Sequence, residues 1–353
     1  MPGGKAAACR FGAGRLRSRI RAFLSEIDGV REGKDRECVH RMRVASRRLR
    51  SALPLFAPCF PKAKFRRWMR ELRGITRALG SARDTDVQLA FLDGYEQDAV
   101  PAPEHRAGIA RIRRILQDER RQEQARILAA LDALEEAGVF RQLVPAVHAL
   151  SRGSSRPAGA DVRRLAAARA TDALDTLLSF DAAVKDPDDV AGHHALRIAA
   201  KKLRYTLEVF RPLYPDRLRP AIRQIRQLQE LLGQIHDSDV WIALLSNVLP
   251  EDAGGTRKPG VGRTGIAVSA VEEAGVAALL ADRRAARQEF YGQLVAEWGR
   301  SIAGSFPDQL RTVRGALPAP DKAPLPPDEG AGGRLGALGG LVPAGQGHAR
   351  QVT

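Results

Sequence analysis

The chain has 353 residues and carries 57 Lys and Arg against 41 Asp and Glu, a formal net charge of +16. That length suits one large or two modest cored domains, and the charge calls for a polyanionic partner: nucleic acid, an anionic membrane or a phosphate polymer. No run approaches the roughly eighteen apolar residues of a membrane span, and Met1 to Gly14 has no apolar signal core. Cys9, Cys38 and Cys59 lack disulfide-framework or zinc spacing, so a cytoplasmic protein with reduced thiols is expected.

In chain order, residues 1–12 read as disordered and a first helix is expected over about Arg15 to Asp28. The next helix is basic. His40, Arg43, Arg47 and Arg50 recur at i, i+3, i+7 and i+10, which at about 100° per residue sets them within about 80° of one another. Met42, Ala45, Leu49, Ala52, Leu53 and Phe56 fall on the opposite face, so this helix packs on its own protein and presents charge outward. Arg48 adds a further cation beside the stripe. A third helix, about Pro61 to Leu79, carries a second stripe of Arg66, Arg70, Arg73 and Arg77. Leu79-Gly80 then reads as a helix end, with Arg83-Asp84-Thr85-Asp86 opening a fourth element to about Leu92. A long amphipathic helix follows from about Glu104 to Glu136, and residues 151–160 read as a linker.

The order then repeats. His194, Arg197, Lys201, Lys202 and Arg204 match the first basic helix at a shift of 194 − 40 = 154, with Leu196, Ala199, Leu203, Leu207 and Phe210 on the apolar side. At a shift of 153, Arg219, Arg223 and Arg226 match the second stripe, with Glu230 in place of Arg77. At the same shift, Leu232-Gly233-Gln-Ile-His236-Asp237-Ser-Asp239-Val240 matches Leu79-Gly80-Ser-Ala-Arg83-Asp84-Thr-Asp86-Val87. A first helix over Val162 to Ser179 and a long helix over Val268 to Trp298 complete the second half. The loop Glu251 to Gly265 has no equivalent in the first half. Period-3.6 patterning dominates and no strand alternation stands out, so the expected fold is all-α: two duplicated antiparallel four-helix bundles, 13–150 and 161–312. Residues 313–353 read as a disordered Pro/Gly/Ala-rich tail. From Gly315 on, Lys322, Arg334 and Arg350 balance Asp321, Asp328 and Glu329, so the charge excess belongs to the body.

A charge run is commonly only a solvated face. These faces have few i+4 carboxylates and occur twice, which favours anion binding, and arginine's planar fork suits phosphate oxygens. His40 and His194 open the two basic faces. HxxR brings no further metal ligands, so a phosphate contact is weighed against a hydrogen bond to a neighbouring helix. The Asp pairs, Asp84/Asp86 and Asp237/Asp239, are read as structural support, one member capping the next helix and the other holding a basic-helix arginine. Tyr205 lies on the second cationic face, either touching ligand or packing between arginines.

The motifs His40-x-x-Arg43-Val-x-x-Arg47-Arg48-Leu49-Arg50, Leu79-Gly80-x-x-Arg83-Asp84-x-Asp86-Val87 and His194-x-x-Arg197-x-x-x-Lys201-Lys202-Leu203-Arg204-Tyr205 resemble those of the CHAD proteins, named for a conserved-histidine α-helical domain. The resemblance spans about Arg15 to Trp298. It implies two bundles related by a pseudo-twofold, with basic helices facing a shared groove or pore that binds inorganic polyphosphate, and for some members residence on polyphosphate granules. No ExExK strand of the CYTH catalytic domain that often precedes it is present, so a standalone, non-enzymatic binding module without cofactor or metal is expected. A sequence-nonspecific nucleic-acid-binding protein is the alternative, expected to bind more weakly because aromatic residues are only 5%. A metal-dependent phosphohydrolase is a second alternative, disfavoured by the lack of a P-loop and of a clustered carboxylate site.

Overall fold

Apolar residues at three- and four-residue spacing wind the described residues of this chain into helices. The computed structural model describes residues 2–33, 35–98, 103–152, 160–214, 216–249 and 269–300. The first half runs α1 (Pro2–Leu24), α2 (Ile27–Glu32), the basic helix α3 (Arg36–Ala52), a 3-10 segment (Leu53–Cys59), α4 (Lys62–Asp98), α5 (Pro103–Glu136) and α6 (Val139–Leu150). The second runs α7 (Ala160–Leu178), α8 (Asp181–Lys185), the basic helix α9 (Val190–Phe210), a 3-10 segment (Arg211–Leu213), α10 (Leu218–Val248) and α11 (Ala270–Glu297). Among the described residues there is no strand, and no helix is long and apolar enough to cross a membrane. The insertion Glu251 to Gly265, most of the 151–160 linker and the 313–353 tail lie outside the described residues.

Local chemistry starts and stops the basic helices. The Asp35 carboxylate accepts from the Glu37 amide at 2.8 Å to cap α3, and Asp189 accepts from Gly192 N at 2.7 Å to cap α9. Pro54 and Pro58 follow α3, and Pro212 follows α9; rings that cannot donate a backbone N–H tighten each exit into 3-10 turns. Ser269 and Glu272 form a reciprocal capping box at the start of α11.

Three expectations are corrected. Residues 2–12 are not a loose terminus but the first turns of α1, with Gly12 and Ala13 buried. They are held because Cys9 is disulfide-bonded to Cys59 across 50 residues, with Cα atoms 5.6 Å apart; Cys38 alone is free. The reading of reduced, unpaired thiols therefore fails for two of the three. Finally, α4 and α10 do not end at Gly80 and Gly233. Leu72, Ile75, Leu79, Ala82, Leu89 and Leu92 keep one buried face going through the glycine, and that burial outweighs the roughly 1 kcal/mol a mid-helix glycine costs. The Asp pairs accordingly sit inside long helices and cap nothing.

The expected apolar faces are buried without exception: Met42, Leu49, Leu53 and Phe56 on α3 and its exit, and Leu196, Leu203, Leu207 and Phe210 on α9. They do not build one core per half. The larger core draws on both halves, and its centre is an aromatic trio in which Phe11 stacks on Phe210 at 5.9 Å and Phe56 meets Phe210 edge-on at 6.3 Å. The second core is a four-helix cluster built from the ends of α4 and α10 with α5 and α11: Leu89, Leu92, Ile109, Ile112, Leu116, Trp241, Leu245, Val248, Val276, Leu279 and Leu280. Residues 1–318 form one unit, with no division at the linker. The helices α5 and α11 cross through glycine: a Cβ on Gly108 would lie 2.6 Å from Val276 N and 2.7 Å from Glu272 O, both backbone atoms.

This packing sets the expected cost of three changes. Replacing Cys9 and Cys59 by Ser should cost about 4 kcal/mol in guanidinium denaturation, the value for closing a loop of this length in the unfolded chain. An unchanged midpoint would show the thiols unpaired. Gly108→Ala should destabilise by about 1–3 kcal/mol because backbone must move. Gly80→Ala, where a Cβ meets nothing within 4 Å, should stabilise by about 0.5–1 kcal/mol, a sign that a helix end at Gly80 would reverse.

Candidate functional site: a cationic cavity between the basic helices

Because α3 and α9 bury their apolar faces in the shared core, their cationic faces turn toward one place. There, α3 contributes Arg43 and Arg47, α4 Arg83 and Asp84, α9 Arg197, Lys201 and Arg204, and α10 Arg226, Glu230, His236 and Asp237 to a cavity of about 360 Å³. Val87, Gln88, Gln229, Gly233, Val240 and Trp241 complete its wall. Seven basic side chains from both halves thus face three carboxylates.

The carboxylates position the cations without neutralising them. Asp84 accepts from Arg43 Nη2 at 3.1 Å, across from α4 to α3. Glu230 accepts from Arg226 Nε at 3.1 Å, and Arg204 lies 3.6 Å from Glu208. Asp237 opens onto the cavity, whose confinement pushes its carboxyl above the usual range against the pull of Arg197. Behind the wall, Asp86, buried on α4, accepts from Arg120 Nε on α5 at 2.9 Å, with Arg36 at 3.7 Å. Asp239 holds Arg287 of α11 in the same way. The Asp pairs therefore divide the work, the first member facing the cavity and the second tying a long helix to its neighbour.

Electrostatics within the cavity are strained by like charge. Burial, followed by the neighbouring Arg47, Arg197 and Arg43, pushes the Lys201 ammonium from 10.5 down to about 6, and Asp84 offsets this only in part. None of the ion pairs among the described residues includes Lys201. Burial likewise lowers Arg43 and Arg197, with Asp84 and Asp237 respectively opposing. His236 is held down at about 3 by burial, Arg197, His194 and Lys201. His194 is lowered by burial and Arg197; its Nδ1 lies 3.4 Å from His236 Nδ1. His40 is lowered by burial and then by Arg83. Among the described residues no three His, Cys, Asp or Glu side chains are grouped as a metal ion requires.

Of the residues singled out from the sequence, Arg43, Arg47, Arg197, Lys201, Arg204, Arg226, Asp84 and Asp237 line the cavity. His194 reaches it through His236, and His40 lies close enough to Arg83 to feel its charge. Arg50 lies near Arg47 and Arg73, continuing the cationic surface from the cavity along α4. Arg48, Lys202, Arg66, Arg70, Arg73, Arg77, Arg219 and Arg223 are exposed outside the cavity. The faces are also less free of carboxylates than expected: besides the Glu208 and Glu230 pairs, Arg70 bonds Glu71 and Arg219 lies 4.0 Å from Asp216. Tyr205 packs between arginines, 9% exposed, with the Arg204 guanidinium 5.0 Å over its ring.

Arg83 and His236 are cavity residues that the reading of the stripes passes over. They stand at equivalent places in the duplicated motif, which was the available signal. With a helix break expected at Gly80, however, they belong to a new element; the unbroken helices α4 and α10 carry them to the cavity. Arg120 and Arg287 have no motif, because their significance is a partner on another helix.

A family model described as the CHAD domain matches residues 14–246. Among solved structures, the crystal structure of the CHAD domain from the plant Ricinus communis is similar, with a TM-score of 0.53 and 24% identity, covering 89% of this chain and 93% of its own. PptA from Streptomyces chartreusis is similar with a TM-score of 0.54 and 20% identity, covering 83% of this chain and 99% of its own. No curated protein matches.

Lys201 also yields a stability prediction. Between about pH 6 and 10.5 the unfolded chain binds a proton that the folded chain does not, so stability rises with pH across that window and the full cost is felt below it. Lys201→Met should therefore stabilise by about 1–2 kcal/mol near pH 6, a value discounted for the open cavity, and by less near pH 9. Chemical denaturation at the two pH values measures the difference.

Proposed function

The chain belongs to the CHAD-domain family, and we propose that its cationic cavity and the arginine faces leading to it bind inorganic polyphosphate without acting on it catalytically. The observation that carries this reading is the convergence of Arg43, Arg47, Arg83, Arg197, Lys201, Arg204 and Arg226, from four helices, on one confined space. A condensed phosphate chain presents unshielded oxygens at every link, and planar guanidinium forks can chelate them from several sides. The anion supplies the countercharge that three carboxylates leave short. Half-buried Arg50 and exposed Arg73 and Arg77 extend the cationic surface for a chain longer than the cavity, and binding of this kind would hold the protein on polyphosphate granules.

The same confinement argues against duplex nucleic acid. A duplex carries phosphates on its outer rim, flanking grooves about 6–12 Å wide, and cannot insert them between four helices. Hydrolysis has less in its favour, since Asp84 and Glu230 are bonded to Arg43 and Arg226 rather than free to hold a metal ion.

Polyphosphate affinity should fall linearly with the logarithm of salt concentration as counterions are released. A variant with Arg43→Glu, Arg47→Glu, Arg197→Glu and Lys201→Glu should bind at least about a hundredfold more weakly with a shallower slope while keeping its helical circular dichroism. Equal competition by a DNA duplex, or an unaffected variant, would refute the reading.

A further inference from the structure

We propose that Lys201 is a site of covalent acylation by acyl phosphates, mixed anhydrides whose phosphate is seated by the cavity's guanidinium groups and whose carbonyl carbon is attacked by the lysine amine. The proposal rests on the reading that the cavity takes phosphate groups, and it adds a chemical modification that reading does not require.

The geometry is that of an amine among phosphate seats. Lys201 lies one turn after Arg197 on α9, faces Arg43 and Arg47 of α3, and opens into the cavity they line. Asp84 of α4, His194 of α9 and His236 and Asp237 of α10 are the other titratable groups acting on it. Neither carboxylate pairs with it: Asp84 is bonded to Arg43, and Asp237 acts chiefly with Arg197. A cation so placed sheds its proton rather than persist beside three guanidinium groups, and at neutral pH the amine is free to act as a nucleophile. Lysines are activated in this way, by desolvation and a neighbouring cation, and no general base is needed.

The step balances without a further reagent. The amine nitrogen forms a bond to the carbonyl carbon, and the bond from that carbon to the phosphate oxygen breaks. The phosphate leaves with the electron pair, and one amine proton passes to it, so that an acyl phosphate dianion and a neutral amine become an amide and hydrogen phosphate. Arg47 and Arg197 stabilise the charge that develops on the departing phosphate. The amide can no longer be protonated, so the modified cavity permanently loses a cation that a bound polyanion would otherwise restore.

The test uses the full chain and acetyl phosphate near neutral pH, with acetylation followed by peptide mass spectrometry. Lys201 should react faster than the exposed neighbouring Lys202 by on the order of tenfold. Tripolyphosphate should abolish that advantage, and it should be severalfold smaller with a phenyl ester of acetic acid, which carries no phosphate to be seated. The rate at Lys201 should level off above about pH 7, where an ordinary lysine would still be gaining reactivity towards its pKa of about 10.4. Equal rates at Lys201 and Lys202 would overturn the proposal, as would an advantage that is undiminished with the phosphate-free ester. Calorimetry with tripolyphosphate separates the two levels. Binding without selective acetylation refutes this proposal alone, and no binding refutes the phosphate reading beneath it.

Discussion

Mutual repulsion among cations in a confined space is the constraint around which this protein is organised. Arg43, Arg47 and Arg197 face one another with Lys201 between them, in a setting where burial lowers the affinity of Arg43, Arg197 and Lys201 for their protons. Left to themselves, such groups would splay into solvent. They stay because the opposite faces of the helices that carry them, from Met42 to Leu49 and from Leu196 to Leu203, are buried completely in a core shared by both halves. Separating the charges would mean pulling α3 and α9 out of that core.

The rest of the architecture reads as reinforcement of this arrangement. Asp84 fixes Arg43 from across the cavity, and Asp86 and Asp239 bind α4 and α10 to the long helices behind them. Those long helices meet at Gly108 and Gly275, where the lack of side chains lets backbones approach and brings the second core together. At the far end the Cys9–Cys59 link and the Phe11, Phe56 and Phe210 cluster tie α1 to the exits of both basic helices. Removal of charge from the cavity would relieve the protein; addition of an anion does so without sacrificing the site.

The two halves contribute unequally. Where the first half places Arg83, a permanent cation, the second places His236, held neutral, and where the first continues its stripe with Arg77, the second has Glu230 paired to Arg226. Of the cavity's seven basic side chains the second half supplies four, but it also supplies two of the three carboxylates. Lys201 introduces a further difference, since its charge depends on what occupies the space in a way that the charge of Arg47, its counterpart on α3, does not.

The sequence by itself determined the helical class, the repeated order of elements and the two-sided character of α3 and α9, because those follow from periodicity that each segment carries alone: Met42, Leu49 and Phe56 on one side, His40, Arg43 and Arg47 on the other. It also singled out Asp84, Asp86 and Asp239, which bond Arg43, Arg120 and Arg287. Tertiary structure alone decided which cations meet. Arg66, Arg70 and Arg219 satisfy the same local pattern as Arg226, yet remain on the outer surface, because the pattern records a helix face and not what that face is turned toward. The same limit hid the Cys9–Cys59 pair and the Arg120 and Arg287 anchors, whose partners are distant in sequence. It also hid the continuity of α4 through Gly80, where burial along the whole helix overrides a local stop signal. Local order is encoded in neighbouring residues; the cavity exists only where four helices arrive together.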